Sequence, residues 1–261
     1  MSWLKVNPRV YDEVIPWYSY ATFTQNFWMA KIGNLGTSYL GGTWSLAVEE
    51  QFYLVLPFII RYVKRLPLVL IPMIALAPVF RLACAYAGFK QAPHVLMPCR
   101  MDSLMAGVLG AWMIRNGKTF PLKLFPVLLL GVVIMTCQQW TMETFPMNSI
   151  GYTWLAFFYL SLVFLALKTK SFLFSNPLLG RLGTIAYGVY LFHGIILGSI
   201  RGDTGIPIPH EKLLTLESFI LTMIVCSLSW LYFEKPLVIK GRKHLYDRAV
   251  HFQNSALEKP S

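Results

Sequence analysis

Two adjacent carboxylates, Glu49 and Glu50, stand near the start of an apolar run over residues 45–62 that is long enough to enter a bilayer. An ionised carboxylate is costly in hydrocarbon unless it pairs or faces water. The pair is therefore typical of a site that handles a proton, an ion, a substrate or a partner helix. The alternative is a residue that caps the helix or lies at the lipid interface. Ser45 or Thr43 is predicted to cap this helix, since a hydroxyl satisfies free amides of the first turn.

A second polar group combines Arg100 and Asp102 just before a short apolar segment at 102–115. Both residues are expected on the same side of the membrane as the two glutamates. A guanidinium suits bidentate pairing with a carboxylate, so Arg100 is a candidate partner for Glu49 or Glu50. The alternative is an arginine that snorkels from a helix end. Arg81 lies inside another apolar run, and the sequence assigns it no partner.

A third stretch, residues 180–193, contains Tyr190 and His193, the histidine expected deepest in a membrane segment. His193 is either a proton carrier or substrate ligand, or a hydrogen-bonded packing residue. Helical spacing aligns it beside a stripe of small and polar residues that begins at Gly183 and is suited to close helix contact. The remaining histidines lie in connectors and are expected on the solvated surface: His94, His210, His244 and His251.

These residues need apolar helices to position them. The chain has 261 residues, of which 56% are hydrophobic and 13% charged, about half the charged fraction of a soluble domain. Uniformly apolar runs approach the length that crosses a bilayer. The predicted fold class is an all-α transmembrane bundle, preceded by an aromatic interfacial or re-entrant element at 17–32. It has about seven segments: 45–62, 66–87, 102–115, 122–140, 150–168, 182–200 and 213–233.

The net charge of +11 does not indicate nucleic-acid binding, because most Lys and Arg residues fall in short loops between apolar runs. The positive-inside rule explains them and predicts an outside N-terminus and a cytoplasmic C-terminus. The four cysteines form no C-x-x-C pair and none lies near a histidine at ligand spacing, so no metal site is expected.

Four motifs resemble the acyltransferase-3 family, in the order found there. They are W-S-L-x-x-E-E-Q-F-Y from Trp44, R-x-D-x-L-x-x-G from Arg100, G-x-x-S-Y-x-x-Y-L-x-H ending at His193 with Ala186 in place of Ser, and E-K-P from Glu234. The resemblance implies a membrane-bound O-acyltransferase with a bundle of about ten helices. It implies transfer of an acyl group from acyl-CoA, for example acetyl-CoA, to a hydroxyl of a cell-surface or exported carbohydrate. It implies no bound cofactor.

The family's catalytic histidine lies in its first helix and is followed by a pair of arginines, and neither has a counterpart before Trp44. The catalytic residues therefore stay unknown. The candidates for substrate binding or proton handling are Glu49, Glu50, Arg100, Asp102, Tyr190 and His193. A polysaccharide or lipid-linked-sugar transporter and a non-catalytic membrane remnant stay open as alternatives.

The resemblance also predicts how the chain is organised and where it is located. Residues 1–44 are expected to be a partial N-terminal region, 45–236 the C-terminal part of the acyltransferase domain, and 237–261 a basic cytoplasmic tail. The chain is then expected to be truncated, and inactive alone. The expected location is a bacterial inner membrane, with the lipid bilayer, an acyl-CoA and a carbohydrate as partners.

Overall fold

The computed structural model describes residues 14–37, 39–169, 172–201 and 211–243, and within these residues every regular element is helical. The chain divides into two compact units, Met1–Phe174 and Ser175–Ser261. The predicted all-α class is confirmed. The expectations for His210, for the tails before residue 14 and after residue 243, and for the loop at 202–210 fall outside the described residues.

The first unit begins with two short helices and continues with longer ones. Its helices are α1 (Trp17–Ala21), α2 (Gln25–Ile32), α3 (Trp44–Tyr62), α4 (Pro67–Tyr86), α5 (Ala92–Val95), α6 (Met97–Arg115), α7 (Phe125–Cys137) and α8 (Tyr152–Lys168), and a single turn, α9 (Phe172–Ser175), spans the boundary between units. A π-helical turn, Met147–Gly151, leads directly into α8.

Among the described residues, four helices are long and apolar enough to cross a membrane: Pro67–Tyr86, Met147–Lys168, Pro177–Ile200 and Lys212–Lys243. A shorter apolar helix covers Leu122–Cys137. These helices indicate an integral membrane protein. The predicted segments 45–62 and 102–115 are also helical, as α3 and α6. The latter was predicted too short, because α6 begins at Met97 and carries Arg100 and Asp102 inside its first two turns.

The core of the first unit lies where α3, α4, α6 and α8 meet. It contains Phe52, Leu70, Ile74, Ala77, Met101, Met105, Ala106, Leu160 and Phe164. The buried residues of α4 are Leu70, Ile74, Ala77 and Arg81, spaced four, three and four apart. This is the period of one helix face, so Arg81 occupies the next core position after three apolar residues. The apolar pattern of α4 thus delivers a cation into the interior.

The prediction that Ser45 or Thr43 caps α3 is wrong. The chain enters α3 through a 3-10 turn, Gly41–Thr43, and Thr43 already has helical angles, φ −71° and ψ −6°. A capping hydroxyl needs an extended backbone at its residue to reach the free amides. Here the Thr43 hydroxyl instead donates to the Leu40 carbonyl at 2.6 Å, and the Ser45 hydroxyl donates to the Gly42 carbonyl at 3.2 Å.

The second unit contains α10 (Pro177–Arg201) and α11 (Glu211–Ser229), which pack against each other. A π-helical turn, Trp230–Glu234, follows α11, and the helix continues to Lys243. The predicted close contact is not observed at Gly183, where a built Cβ meets nothing within 4 Å among the described residues. A close approach occurs at Gly188, whose built Cβ lies 3.5 Å from the Cβ and Sγ atoms of Cys226.

Candidate functional site

A fully buried ion pair joins Arg81 of α4 to Asp102 of α6 in the first unit. Arg81 Nη1 lies 2.8 Å from Asp102 Oδ2, and both side chains are 0% exposed. The other guanidinium donors bind the Asn148 carbonyl at 2.8 Å and the Thr153 hydroxyl at 3.0 Å, while Nη1 also donates to the Cys99 carbonyl at 2.6 Å. The sequence assigned Arg81 no partner, and in the structure its guanidinium is bonded to four groups.

Asp102 is equally well satisfied. Its carboxylate accepts hydrogen bonds from the Thr153 hydroxyl at 2.6 Å and from the Ser103 amide at 2.9 Å. These bonds join α4, α6 and α8 through one buried point. A buried ion pair needs such additional bonds to offset the desolvation of its two charges. In this structure Asp102 faces Arg81 and Thr153 and has no surface open to a substrate.

Arg100 lies two residues before Asp102 but has a different environment. Its guanidinium carbon lies 4.3 Å from the ring centre of Tyr152 and 5.7 Å from that of Trp44, in cation–π contact with both. Its Nη1 atom is buried and has no hydrogen-bond partner among the residues that the structure describes. The aromatic rings hold the side chain in place without neutralising its charge.

His94, in the connector helix α5, completes this aromatic group. Its ring centre lies 4.3 Å from that of Trp44, and a hydrogen bond of 3.2 Å joins its Nδ1 atom to the Tyr152 hydroxyl. The expectation of a solvated surface position is wrong, because His94 is 9% exposed. Burial and the nearby charge of Arg100 lower the pKa of His94 to about 4. The imidazole is therefore neutral near pH 7. The apolar residues around it in the sequence were a signal for burial.

The carboxylates Glu49 and Glu50 are half-buried on α3. The ion pair predicted between Arg100 and one of them is not formed: in the described parts of the chain, the ion pair of the interior is Arg81–Asp102. The physical reason is that Arg100 is held between Trp44 and Tyr152. Neither Glu49 nor Glu50 is paired with a described cation.

Sequence reasoning missed an amide network that fixes the start of α3. The Gln51 side chain donates to the Phe23 carbonyl at 2.8 Å and to the Asn26 side chain at 2.9 Å. Asn26 in turn donates to the Val95 carbonyl at 3.1 Å, and Gln25 donates to the Thr43 carbonyl at 2.9 Å. The network joins α2, α3 and α5. It positions Glu49 and Glu50, which immediately precede Gln51, at the end of a fixed helix.

A groove of about 560 Å³ runs between α6 and α8, with Arg100 and Tyr152 at one end. Its wall on α6 is made of Ser103, Gly107, Gly110, Ala111 and Ile114, and its wall on α8 of Leu155, Ala156, Tyr159, Leu160, Val163 and Phe164. Apart from Arg100, Ser103 and the two tyrosines, the lining is apolar. The arrangement offers one unneutralised cation beside an apolar trough.

The candidates His193 and Tyr190 belong to the second unit. His193 is exposed on α10, and its Nδ1 atom lies 2.6 Å from the Tyr190 carbonyl and 3.0 Å from the Val189 carbonyl of its own helix. The two rings lie 6.0 Å apart. Glu234, of the closing E-K-P, accepts a hydrogen bond of 2.9 Å from the Ser229 hydroxyl. The described residues contain no cluster of three or more His, Cys, Asp or Glu side chains that could hold a metal.

Comparison with known proteins gives one family. The acyltransferase domain of the acyltransferase 3 family matches residues 8–234, most of the chain. Neither curated proteins nor solved structures give a match. The family match covers the carboxylate pair, the buried ion pair, the groove and the histidine of α10. Its four long apolar helices are those of a membrane protein, and the match over most of its length shows that the chain belongs to the acyltransferase 3 family.

Proposed function

We propose that this protein takes part in O-acyl transfer at a membrane, moving an acyl group from acyl-CoA to a hydroxyl of a cell-surface or exported carbohydrate. The observation that carries this proposal is the family match over residues 8–234. The geometry supports it in one respect: Glu49 and Glu50 have no described cation beside them and lie on a helix fixed by the Gln51 network. Their carboxylates can therefore bind hydroxyl groups of a substrate.

The chemistry sets the roles to be filled. A hydroxyl is a weak nucleophile at neutral pH, so a base within hydrogen-bond reach must take its proton as it attacks the thioester carbonyl. Donors must then stabilise the oxyanion that develops. We propose that Glu49 and Glu50 bind the acceptor hydroxyls or orient the base, and that Arg100 positions a bound anionic group. Tyr190 and His193 are proposed for proton handling, and Asp102 for holding Arg81. The base itself is not assigned.

The carboxylate pair is tested with Glu49→Gln and Glu50→Gln, which keep shape and remove charge. We expect each, assayed in membranes of the native host, to lower acetyl transfer from labelled acetyl-CoA to added carbohydrate by about tenfold or more, because a charge-assisted hydrogen bond to the acceptor is lost. Glu143→Gln is the matched control, since Glu143 is an exposed carboxylate in a connector. Wild-type transfer rates in both variants would remove the pair from the mechanism.

A transporter would use buried charges to line a path. The two fully buried charges of the first unit, Arg81 and Asp102, satisfy each other and their neighbours. These two charges therefore do not line a path for a transported sugar. Uptake or export of carbohydrate by vesicles that contain the protein, without acyl transfer, would restore the transporter alternative.

The proposed location is a bacterial inner membrane with the C-terminus in the cytoplasm, supported by the excess of Lys and Arg in alternate loops. A single cysteine placed at Lys118, in the connector after α6, should resist membrane-impermeant thiol reagents in intact cells in which the native cysteines are replaced. A cysteine placed at Lys90, in the connector before α5, should react. The reverse pattern would invert the orientation.

A further inference from the structure

The groove between α6 and α8 has the length of a lipid chain. Beyond Arg100, its lining on α6 runs from Ser103 to Ile114. Eleven steps of 1.5 Å from the first of these residues to the last make about 16 Å. One leaflet of a bilayer provides about 15 Å of hydrocarbon, half of the usual thickness of about 30 Å. The trough therefore matches the depth of a single membrane leaflet.

The middle of the groove is empty because α6 lacks side chains there. A Cβ built on Gly107 meets no described atom within 4 Å, whereas one built on Gly110 would lie 2.5 Å from Leu160. Gly107 thus faces open space, and Gly110 brings the two helices together. The rims are apolar and exposed at Ile114, Tyr159 and Val163. An unfilled apolar trough of this kind on a membrane helix suits a hydrocarbon chain.

At one end of the groove lies the charge of Arg100, which a bound hydrocarbon chain would not neutralise. In the described parts of the chain, the buried Nη1 atom of Arg100 has no hydrogen-bond partner, and its neighbours Tyr152 and Trp44 are uncharged aromatics. The carboxylate of Asp102, two residues along the chain, already binds Arg81 at 2.8 Å. A buried cation without an anion is costly, and a guanidinium pairs well with phosphate through two parallel hydrogen bonds. The site is complete only when an anion reaches Arg100.

We infer that this groove binds one hydrocarbon chain of an anionic membrane phospholipid, with the lipid phosphate on Arg100. The inference rests on the proposed function in one respect, since it names the anionic group that Arg100 positions. A water-soluble phosphate would satisfy Arg100 but leave about 560 Å³ of apolar trough unfilled. A neutral lipid would fill the trough but leave the charge of Arg100 uncompensated.

The test uses the full chain in phosphatidylcholine nanodiscs that contain a small fraction of phosphatidic acid with a photoreactive group on one acyl chain. Irradiation should attach the probe to α6 or α8, as located by peptide mass spectrometry. Arg100→Gln should lower this labelling by about tenfold, the order expected for a lost charge-assisted hydrogen bond. Gly107→Leu should lower it as well by filling the trough, and Arg100→Lys should recover part of it.

Two controls match these variants. Arg115→Gln removes an exposed arginine from the end of the same helix, and Gly183→Leu adds the same side chain at a helical glycine that also meets nothing within 4 Å. Both should label like the wild type. Before labelling, each variant is checked for an unchanged thermal unfolding midpoint. If Arg100→Gln is unstable, Arg100→Lys replaces it in the comparison and should still label less than the wild type.

Labelling that is unchanged in Arg100→Gln or in Gly107→Leu would overturn the inference. Competition by millimolar inorganic phosphate or free acyl-CoA as effective as that by unlabelled phosphatidic acid would also overturn it, because the site would then take a soluble ligand. Normal acyl transfer without labelling would remove the lipid site alone. Normal labelling without acyl transfer in any preparation would count against the proposed function alone.

Discussion

Arg81 in the first unit and His193 in the second are both polar residues within apolar helices, yet their side chains are satisfied in opposite ways. Arg81 is 0% exposed and binds groups on α6, α8 and the turn before α8. His193 is exposed, and its described hydrogen bonds return to the backbone of its own helix. The first arrangement fixes how helices pack. The second leaves the outer face of the ring available to a ligand or a proton.

The carboxylates show the same contrast. Asp102 is 0% exposed and shared between Arg81, Thr153 and Ser103, so it cross-links three helices. Glu49 and Glu50 are half-buried and have no described cation partner. A charge that is fully used for packing is costly to remove and of little use to a substrate. A charge that is held in place but not neutralised costs less stability to remove and can bind a substrate.

The largest expected effect comes from breaking the Arg81–Asp102 pair. Arg81→Met should lower the free energy of unfolding by about 3–5 kcal/mol, because it leaves the Asp102 carboxylate buried without a cation. Unfolding in a fixed detergent, followed by circular dichroism, measures the loss. The double variant Arg81→Met with Asp102→Leu should recover much of it, since no buried charge remains. A double variant less stable than Arg81→Met would show that the pair is not coupled in this way.

The next effect is a pH dependence from His94. Its pKa is about 4 in the folded protein and 6.5 in the unfolded chain. Between these values the unfolded chain takes up a proton that the folded protein does not, so stability falls as pH is lowered from 6.5 to 4. The loss should reach about 3 kcal/mol.

His94→Phe keeps a ring against Trp44. In this variant the thermal unfolding midpoint should change less with pH over this range than it does in the wild type. Equal slopes in the two proteins would place the titrating group elsewhere.

A packing comparison comes third. A Cβ at Gly131 of α7 would collide with the indole of Trp154, whose Nε1 donates to the Leu128 carbonyl at 2.9 Å. Gly131→Ala should therefore destabilise the protein by about 1–3 kcal/mol through overpacking. Gly107→Ala faces open space and should instead stabilise it by up to about 1 kcal/mol, the helix propensity difference. The same sign for both changes would contradict the packing of α7 against α8.

The smallest expected effect is at His193. His193→Gln should change the free energy of unfolding by less than about 0.5 kcal/mol, since the ring is exposed and bonded only locally among the described residues. A fall in acyl transfer at unchanged stability would sharpen the contrast with Arg81 by giving His193 a functional role. A loss of stability as large as that of Arg81→Met would erase the contrast.

The sequence alone determined the helices and the family. Apolar runs and helical periodicity are local properties, so they predicted α4, α8, α10 and α11 without knowledge of their neighbours. The four motifs indicated the acyltransferase 3 family, and the match over residues 8–234 confirms it. The same local reasoning placed Glu49, Glu50, Arg100 and Asp102 near helix starts, where α3 and α6 have them.

Only the tertiary structure decided which charges meet. Arg81 and Asp102 are twenty-one residues apart on different helices, and their pairing depends on how far each helix is rotated and shifted along its axis. Arg100 is two residues from Asp102, but this offset points it to another side of α6, toward Tyr152. His94 is buried because α5 packs against α2 and α4, which its short connector sequence does not specify. The periodicity of a sequence shows which face of a helix is apolar. It does not show which other helix packs against that face, because this depends on the packing of the whole bundle.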